Sequence, residues 1–125
     1  MSTHFQARRL TRRFGDKLAL DGIDLELQPD SVTGLIGRNG SGKTTLIRTI
    51  VGLLLPSSGD ALTFGTPVAD LGDAQLGRIG AVFQDNRLMG WMTVAGQLEF
   101  ARAHHKHWDL ARETTLLEVL ELDAS

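Results

Sequence analysis

The chain has 125 residues, 42% of them hydrophobic and 22% charged, which suits a single globular domain with a core of its own. Thirteen Lys and Arg against fifteen Asp and Glu give a net charge of −2, which argues against nucleic acid as the main partner. Absence of cysteine excludes a disulfide staple and is compatible with a reducing cytosol.

The first thirteen residues lack the apolar core of a signal peptide, and the run Leu53-Leu54-Leu55 is far too short to span a membrane. Loose alternation over residues 4–12 predicts a first strand, with Arg8, Arg9, Arg12, Arg13 and Lys17 on the solvated face of strand and turn. Phe14-Gly15-Asp16-Lys17 reads as a turn. A second strand follows, in which Ile23, Leu25 and Leu27 alternate with Asp24, Glu26 and Gln28. Gln28-Pro29-Asp30 breaks it, and residues 31–36 are expected to form a short, buried strand that delivers the chain into a glycine-rich loop.

That loop is Gly37-Arg38-Asn39-Gly40-Ser41-Gly42-Lys43-Thr44. Glycines at these positions allow backbone N–H groups to turn inward around phosphate oxygens through φ values that a side chain would forbid. Lys43 opens a helix, so β- and γ-phosphates would meet free helix N–H groups, the positive end of the dipole and an ammonium together. Thr44 offers a hydroxyl to Mg²⁺. The bland alternative is a glycine-rich turn between strand and helix.

A helix is predicted over about residues 42–54, with Leu46, Ile47, Ile50, Val51 and Leu54 forming its apolar stripe and Pro56-Ser57-Ser58-Gly59 ending it. Residues 60–64 read as a strand, Gly65-Thr66-Pro67 as a turn, residues 73–78 as a short helix, and Ile79-Gly80-Ala81-Val82-Phe83 as a buried strand. Gln84 sits at its end, where a polar side chain can point into a site, and Asp85-Asn86-Arg87 continues as a polar loop. From Thr93 the pattern is helical, with Val94, Leu98 and Ala101 on one face; a second helix from about Asp109 carries Leu110, Leu116, Leu117 and Leu120. His104, His105 and His107 do not converge on one helical face, and no carboxylate or thiol spacing supports a metal site there.

The loop extended through Thr45-Leu46, together with Gly52-Leu53-Leu54-Leu55-Pro56-Ser57-Ser58-Gly59 and Phe83-Gln84-Asp85-Asn86, resembles the ATP-binding subunit of an ABC transporter, in family order and over essentially the whole chain. The resemblance implies an α/β phosphate-loop NTPase fold of ABC type, here incomplete. It would hold antiparallel N-terminal strands, the phosphate-loop strand and helix, and the start of the helical subdomain. The ATP-binding core would occupy residues 1–90 and the helical subdomain would begin at 91–125.

The resemblance further implies ATP and Mg²⁺ as cofactors, with Phe14 stacking on adenine. Gly37, Arg38, Asn39, Gly40, Ser41, Gly42, Lys43, Thr44 and Thr45 would bind the nucleotide, and Thr44 and Gln84 would hold Mg²⁺. Lys43 and Gln84 would serve catalysis, Gln84 by helping to coordinate the attacking water. Relatives more often carry tyrosine where Phe14 stands; phenylalanine keeps the π-face and loses a hydroxyl.

The implied partners are a separate transmembrane subunit, docking on the loop after Gln84, and a second nucleotide-binding subunit. The implied location is cytoplasmic, on the inner face of the cell membrane. Met92-Thr93-Val94 and His107-Trp108-Asp109 resemble subunits of drug-type exporters.

The family's signature segment, catalytic glutamate and switch histidine do not occur after Gln84. The nearest imitation, residues 116–123, has charges inside the run and reads as an amphipathic helix. These 125 residues alone are therefore expected not to turn over ATP, and a non-catalytic nucleotide-binding or interaction fragment is the alternative. A soluble ABC-family ATPase outside transport is another. A GTPase or small-molecule kinase has less support, since neither an Asn-Lys-x-Asp nor an Asp-x-x-Gly segment occurs.

Overall fold

The computed structural model describes residues 3–84 and 88–123, so the expected loop Asp85-Asn86-Arg87 lies outside the described residues. Two compact units divide the chain, Met1–Gly80 and Ala81–Ser125.

The first unit is built on a four-stranded antiparallel sheet. Strand β1 (Phe5–Phe14) pairs with β2 (Lys17–Leu27) on one side and β3 (Ser58–Thr63) on the other, and β3 pairs with the short β4 (Thr66–Pro67). The β1–β2 hairpin closes on the pair Phe14–Lys17, with Gly15 at φ 58 supplying the backbone that a two-residue hairpin turn requires.

Three bulges reconcile this hairpin with its sequence. Strict alternation from Phe5 and Ala7 would aim Arg9 at the core. Instead Ala7 opposes Leu25 and Leu10 opposes Ile23, so β1 carries one extra residue there and Leu10 takes the inward position, fully buried. Arg9 absorbs the kink at φ 47, and its N–H donates to Asp24 Oδ1 at 2.9 Å. Opposite, Gly22 (φ 60) marks an extra residue in β2 and donates its N–H to Thr11 Oγ1 at 3.1 Å. The third bulge lies between the pairs Arg12–Leu20 and Arg13–Leu18, and leaves Ala19 as the residue without a partner opposite.

Helix α1 (Lys43–Ile50) lays Leu46 on this sheet, completing a core of Phe5, Ala7, Leu10, Leu20, Leu46, Ala61 and Val68, with Ile23, Leu25, Leu27, Ile50 and Leu71 around it. Burial of each large apolar member contributes about 1.5–3 kcal/mol. Thr63 Oγ1 donates to the Ile50 carbonyl at 2.6 Å, tying the helix's last turn to β3.

The helix ends four residues before the expected stop. Gly52, at φ 80, takes the left-handed position; its N–H bonds the Thr49 carbonyl and the Leu53 N–H bonds the Arg48 carbonyl, which terminates the helix before Pro56 is reached. Residues 64–65, at φ 50 and 77, form the β3–β4 turn, so Thr66 and Pro67 are strand residues rather than turn residues. A 3₁₀ turn (Val68–Asp70) and the short helix α2 (Asp73–Leu76) follow.

Two expected strands are absent. Residues 31–36 and 79–83 adopt no regular secondary structure, and Val32, Ile36 and Val82 are 103%, 96% and 90% exposed. A strand requires a neighbour to take its N–H and C=O groups, and no described strand pairs with either segment.

In the second unit, Thr93 caps α3 (Val94–Arg102) by accepting the Gly96 N–H at 3.0 Å, and Asp109 caps α4 (Leu110–Val119) by accepting the Arg112 N–H at 2.9 Å. Trp108 Nε1 donates to Glu113, whose carboxylate also faces Arg102 at 3.7 Å. His104 bonds the Phe100 carbonyl at 2.8 Å, and His105 packs beside the Trp108 ring. Neither helix has a fully buried residue.

Candidate nucleotide site

The glycine-rich loop folds back on itself before α1 begins. Ser41 N–H donates to the Arg38 carbonyl at 3.1 Å, turning the chain through Asn39 and Gly40. A β-carbon at residue 37 would lie 2.5 Å from Ser41 Oγ, so a side chain there would require the Ser41 hydroxyl to turn away. Gly40 and Gly42 hold φ values of 82 and 98, which side-chain-bearing residues rarely adopt. A β-carbon at residue 42 would also lie 2.4 Å from the Ala19 carbonyl oxygen.

Gly42 is the N-cap of α1 and provides no side-chain cap, and no acidic residue occupies the first turn. The first backbone bond of the helix is Leu46 N–H to the Gly42 carbonyl, at 2.9 Å. The N–H groups of Lys43, Thr44 and Thr45 therefore have no helical acceptor and face the loop's mouth with the positive end of the dipole. Lys43 Nζ donates to the Gly37 carbonyl and, at 3.0 Å, to the Arg38 carbonyl, so the ammonium sits at the loop it would share with an anion. Thr44 is exposed and Thr45 half-buried; the Thr45 carbonyl accepts from Thr49 Oγ1 at 2.8 Å. Arg38, Asn39 and Ser41 are exposed along the loop. A cradle of glycine backbone, a helix N-terminus and a cation fit a polyphosphate.

Phe14 is 41% exposed at the tip of the β1–β2 hairpin. The Arg12 guanidinium lies over its ring, 4.7 Å from the centroid, and Arg12 Nη1 donates to the Leu55 carbonyl at 2.8 Å. Arg12 thus leaves the solvated face on which the charge pattern placed it and is half-buried. Ala19, on the same hairpin, is the residue that touches Gly42. The structure therefore joins Phe14 and residues 37–45 within one unit.

Gln84 belongs to the other unit, exposed in a turn, and its role rests on the family resemblance. The contributions of Arg12 and Ala19 were not foreseen from the sequence. The glycine at 42 was the one available signal for the Ala19 contact.

The ABC transporter family profile matches residues 20–124. A methionine import ATP-binding protein from Mesorhizobium japonicum is 38% identical over 120 residues, 90% of this chain and 33% of that protein. A Nod factor export ATP-binding protein from Cupriavidus metallidurans is 38% identical over 88 residues, 70% of this chain and 29% of that protein. Among solved structures, an ATP-binding subunit of an ABC transporter shares the fold with TM-score 0.82 at 22% identity, over 98% of this chain and 54% of that one. The chain thus spans about a third of the length of these curated relatives. The glycine-rich loop at the start of α1 and the antiparallel sheet beside it thus accompany a family profile that spans most of the chain, and the chain belongs to the ABC transporter family.

Proposed function

We propose that the chain binds Mg-ATP and that, within an intact domain, this binding energises transport by a separate membrane subunit. The observation carrying the reading is the loop of residues 37–44, whose glycine backbone, free first-turn N–H groups and Lys43 ammonium converge at one helix start. Family membership supports ATP as the nucleotide.

In this reading Phe14 stacks on adenine, the backbone from Gly37 to Thr45 and the Arg38, Asn39 and Ser41 positions wrap the phosphates, and Lys43 neutralises the β- and γ-phosphate oxygens. Swapping its bonds to the Gly37 and Arg38 carbonyls for bonds to phosphate keeps the ammonium solvated by ligands throughout. The Thr44 hydroxyl and the Gln84 amide would hold Mg²⁺, which when bound supplies charge neutralisation across the phosphates. Residues 1–90 form the ATP-binding core and 91–125 open the helical subdomain.

Leu88 and Trp91 are 78% and 79% exposed just beyond Gln84, which supports docking of a transmembrane subunit on that face. Among the described residues no helix is long and apolar enough to cross a membrane, so a separate membrane partner suits the chain. The reading places it at the cytoplasmic face, with a second nucleotide-binding subunit completing the hydrolytic site.

Drug-type export is the direction suggested by Met92-Thr93-Val94 and His107-Trp108-Asp109. The printed name of the Mesorhizobium relative favours import as a second reading. Uptake against extrusion in cells carrying the intact transporter separates them.

Calorimetric titration of Mg-ATP into the full chain, followed by phosphate release in the same sample, tests the core of the reading. Binding without turnover is expected, and Lys43→Ala should abolish tight binding. Unchanged affinity in that variant would sink the assignment of the loop.

A further inference from the structure

The end of β1 is strapped to the chain that leaves α1. Arg12 Nη1 donates to the Leu55 carbonyl at 2.8 Å, Ser57 N–H donates to the Thr11 carbonyl at 2.8 Å, and Arg13 N–H donates to Ser57 Oγ at 2.9 Å. Arg12 is the member of this strap that also reaches Phe14, since residues two apart on a strand share a face and its guanidinium lies 4.7 Å from the ring centroid. Among the described residues, the partners of the Arg12 guanidinium are the Leu55 carbonyl, through Nη1, and the Phe14 ring.

Resting on the reading of Phe14 as the base platform, we infer that Arg12 is a positioning residue for nucleotide recognition. It covers one face of the Phe14 ring and fixes the ring's plane, leaving the opposite face for the base. A planar cation over one face also draws on the ring's π-electrons, and the rigid fork lets one guanidinium hold a carbonyl and lie flat on a ring together, which a lysine ammonium, a compact charge on a flexible stem, does with less orientation. Because Leu55 follows α1 and Gly42 begins it, the strap at one end and the Ala19–Gly42 contact at the other set the span between base platform and phosphate cradle. Arg12 therefore acts on the base and not on the phosphates.

The test compares Mg-ATP with Mg-tripolyphosphate, which has the phosphates and no base, by calorimetry on the full chain and its Arg12→Gln, Arg12→Lys and Phe14→Ala variants. Arg12→Gln should weaken ATP by about threefold to tenfold and leave tripolyphosphate unchanged. Arg12→Lys, which keeps the charge and is the safer variant for folding, should show the same selective loss at smaller size. Equal weakening of both ligands would reduce Arg12 to a structural role, and an unchanged ATP affinity would overturn the inference outright. If Phe14→Ala leaves the ratio of the two affinities untouched, the base-platform reading itself fails. If Phe14→Ala shifts the ratio and neither Arg12 variant does, the inference about Arg12 fails alone.

Discussion

The carbonyl oxygen of Ala19 meets the backbone of Gly42 so closely that a β-carbon on residue 42 would stand 2.4 Å from it. Ala19 is the bulged residue of the β1–β2 hairpin and Gly42 the N-cap of α1, so the two touch because one strand carries an extra residue and the helix start carries no side chain. The hairpin that presents Phe14 is thereby seated against the loop proposed to hold phosphate.

Gly42→Ala should injure both folding and binding. The residue sits at φ 98, where an L side chain is strained by about 1–2 kcal/mol, and its methyl would be driven into backbone that cannot rotate away. We expect a total loss of about 2–3 kcal/mol in urea unfolding, with ATP affinity reduced as well. Gly40→Ala provides the contrast, since φ is 82 but nothing lies within 4 Å of the added carbon. Its cost should stay near the backbone strain alone, about 1 kcal/mol. Equal costs at the two positions would remove the Ala19 contact from the explanation.

Gly59→Ala probes the sheet away from the loop. Gly59 (φ 78) lies opposite the β1 bulge, and an added β-carbon would fall 2.1 Å from the Arg9 carbonyl oxygen. Either β3 or the bulge must give way, and the bulge is what turns Leu10 inward in place of Arg9. Denaturant unfolding should show a loss of about 2–4 kcal/mol. Preserved stability would mean that the close approach of Gly59 to the Arg9 carbonyl is not what holds the bulge.

Much of this arrangement was legible in the chain. The loop of residues 37–44 declares itself because its chemistry is local, glycines for backbone approach and a lysine at the helix start. The helix starts near Thr93 and Asp109 were legible from apolar periodicity, and the structure adds that both side chains cap the helices they precede. What stayed hidden is non-local. The bulges at Arg9, Gly22 and Ala19 depend on which strand lies opposite, and the strap from Arg12 to Leu55 joins residues 43 apart. Pro56 was read as the helix stop because proline is the louder signal, whereas Gly52 ends the helix first through its left-handed backbone. Residues 31–36 and 79–83 have the composition of buried strands, but composition does not supply the neighbour that a ladder needs.

Thr63→Val tests how the helix is held on the sheet. Valine matches threonine in shape, so the change removes the 2.6 Å bond from Oγ1 to the Ile50 carbonyl with little disturbance of volume. Thr63 is 2% exposed, and the carbonyl it satisfies belongs to the last turn of α1, whose own carbonyls lack helical donors. A loss of about 1 kcal/mol is expected, read as a fall in melting temperature of about 4 °C. A melting temperature equal to wild type would show that α1 is held by Leu46 and Ile50 packing without this bond.

The segment before the loop should drive self-association. Val32 and Ile36 are 103% and 96% exposed on a stretch with strand composition and no strand partner. Apolar side chains beside unpaired backbone groups form a template for pairing with another copy, and the gain from burying them is of order 1.5–3 kcal/mol for each side chain. Light scattering on the purified chain should therefore report a mass that rises with concentration. Val32→Lys combined with Ile36→Lys should suppress that rise, because charges on an edge oppose strand addition, and should leave the Gly37–Lys43 contact and the α1 core untouched. A monodisperse monomer that melts cooperatively at every concentration would count against this account of the exposed segment.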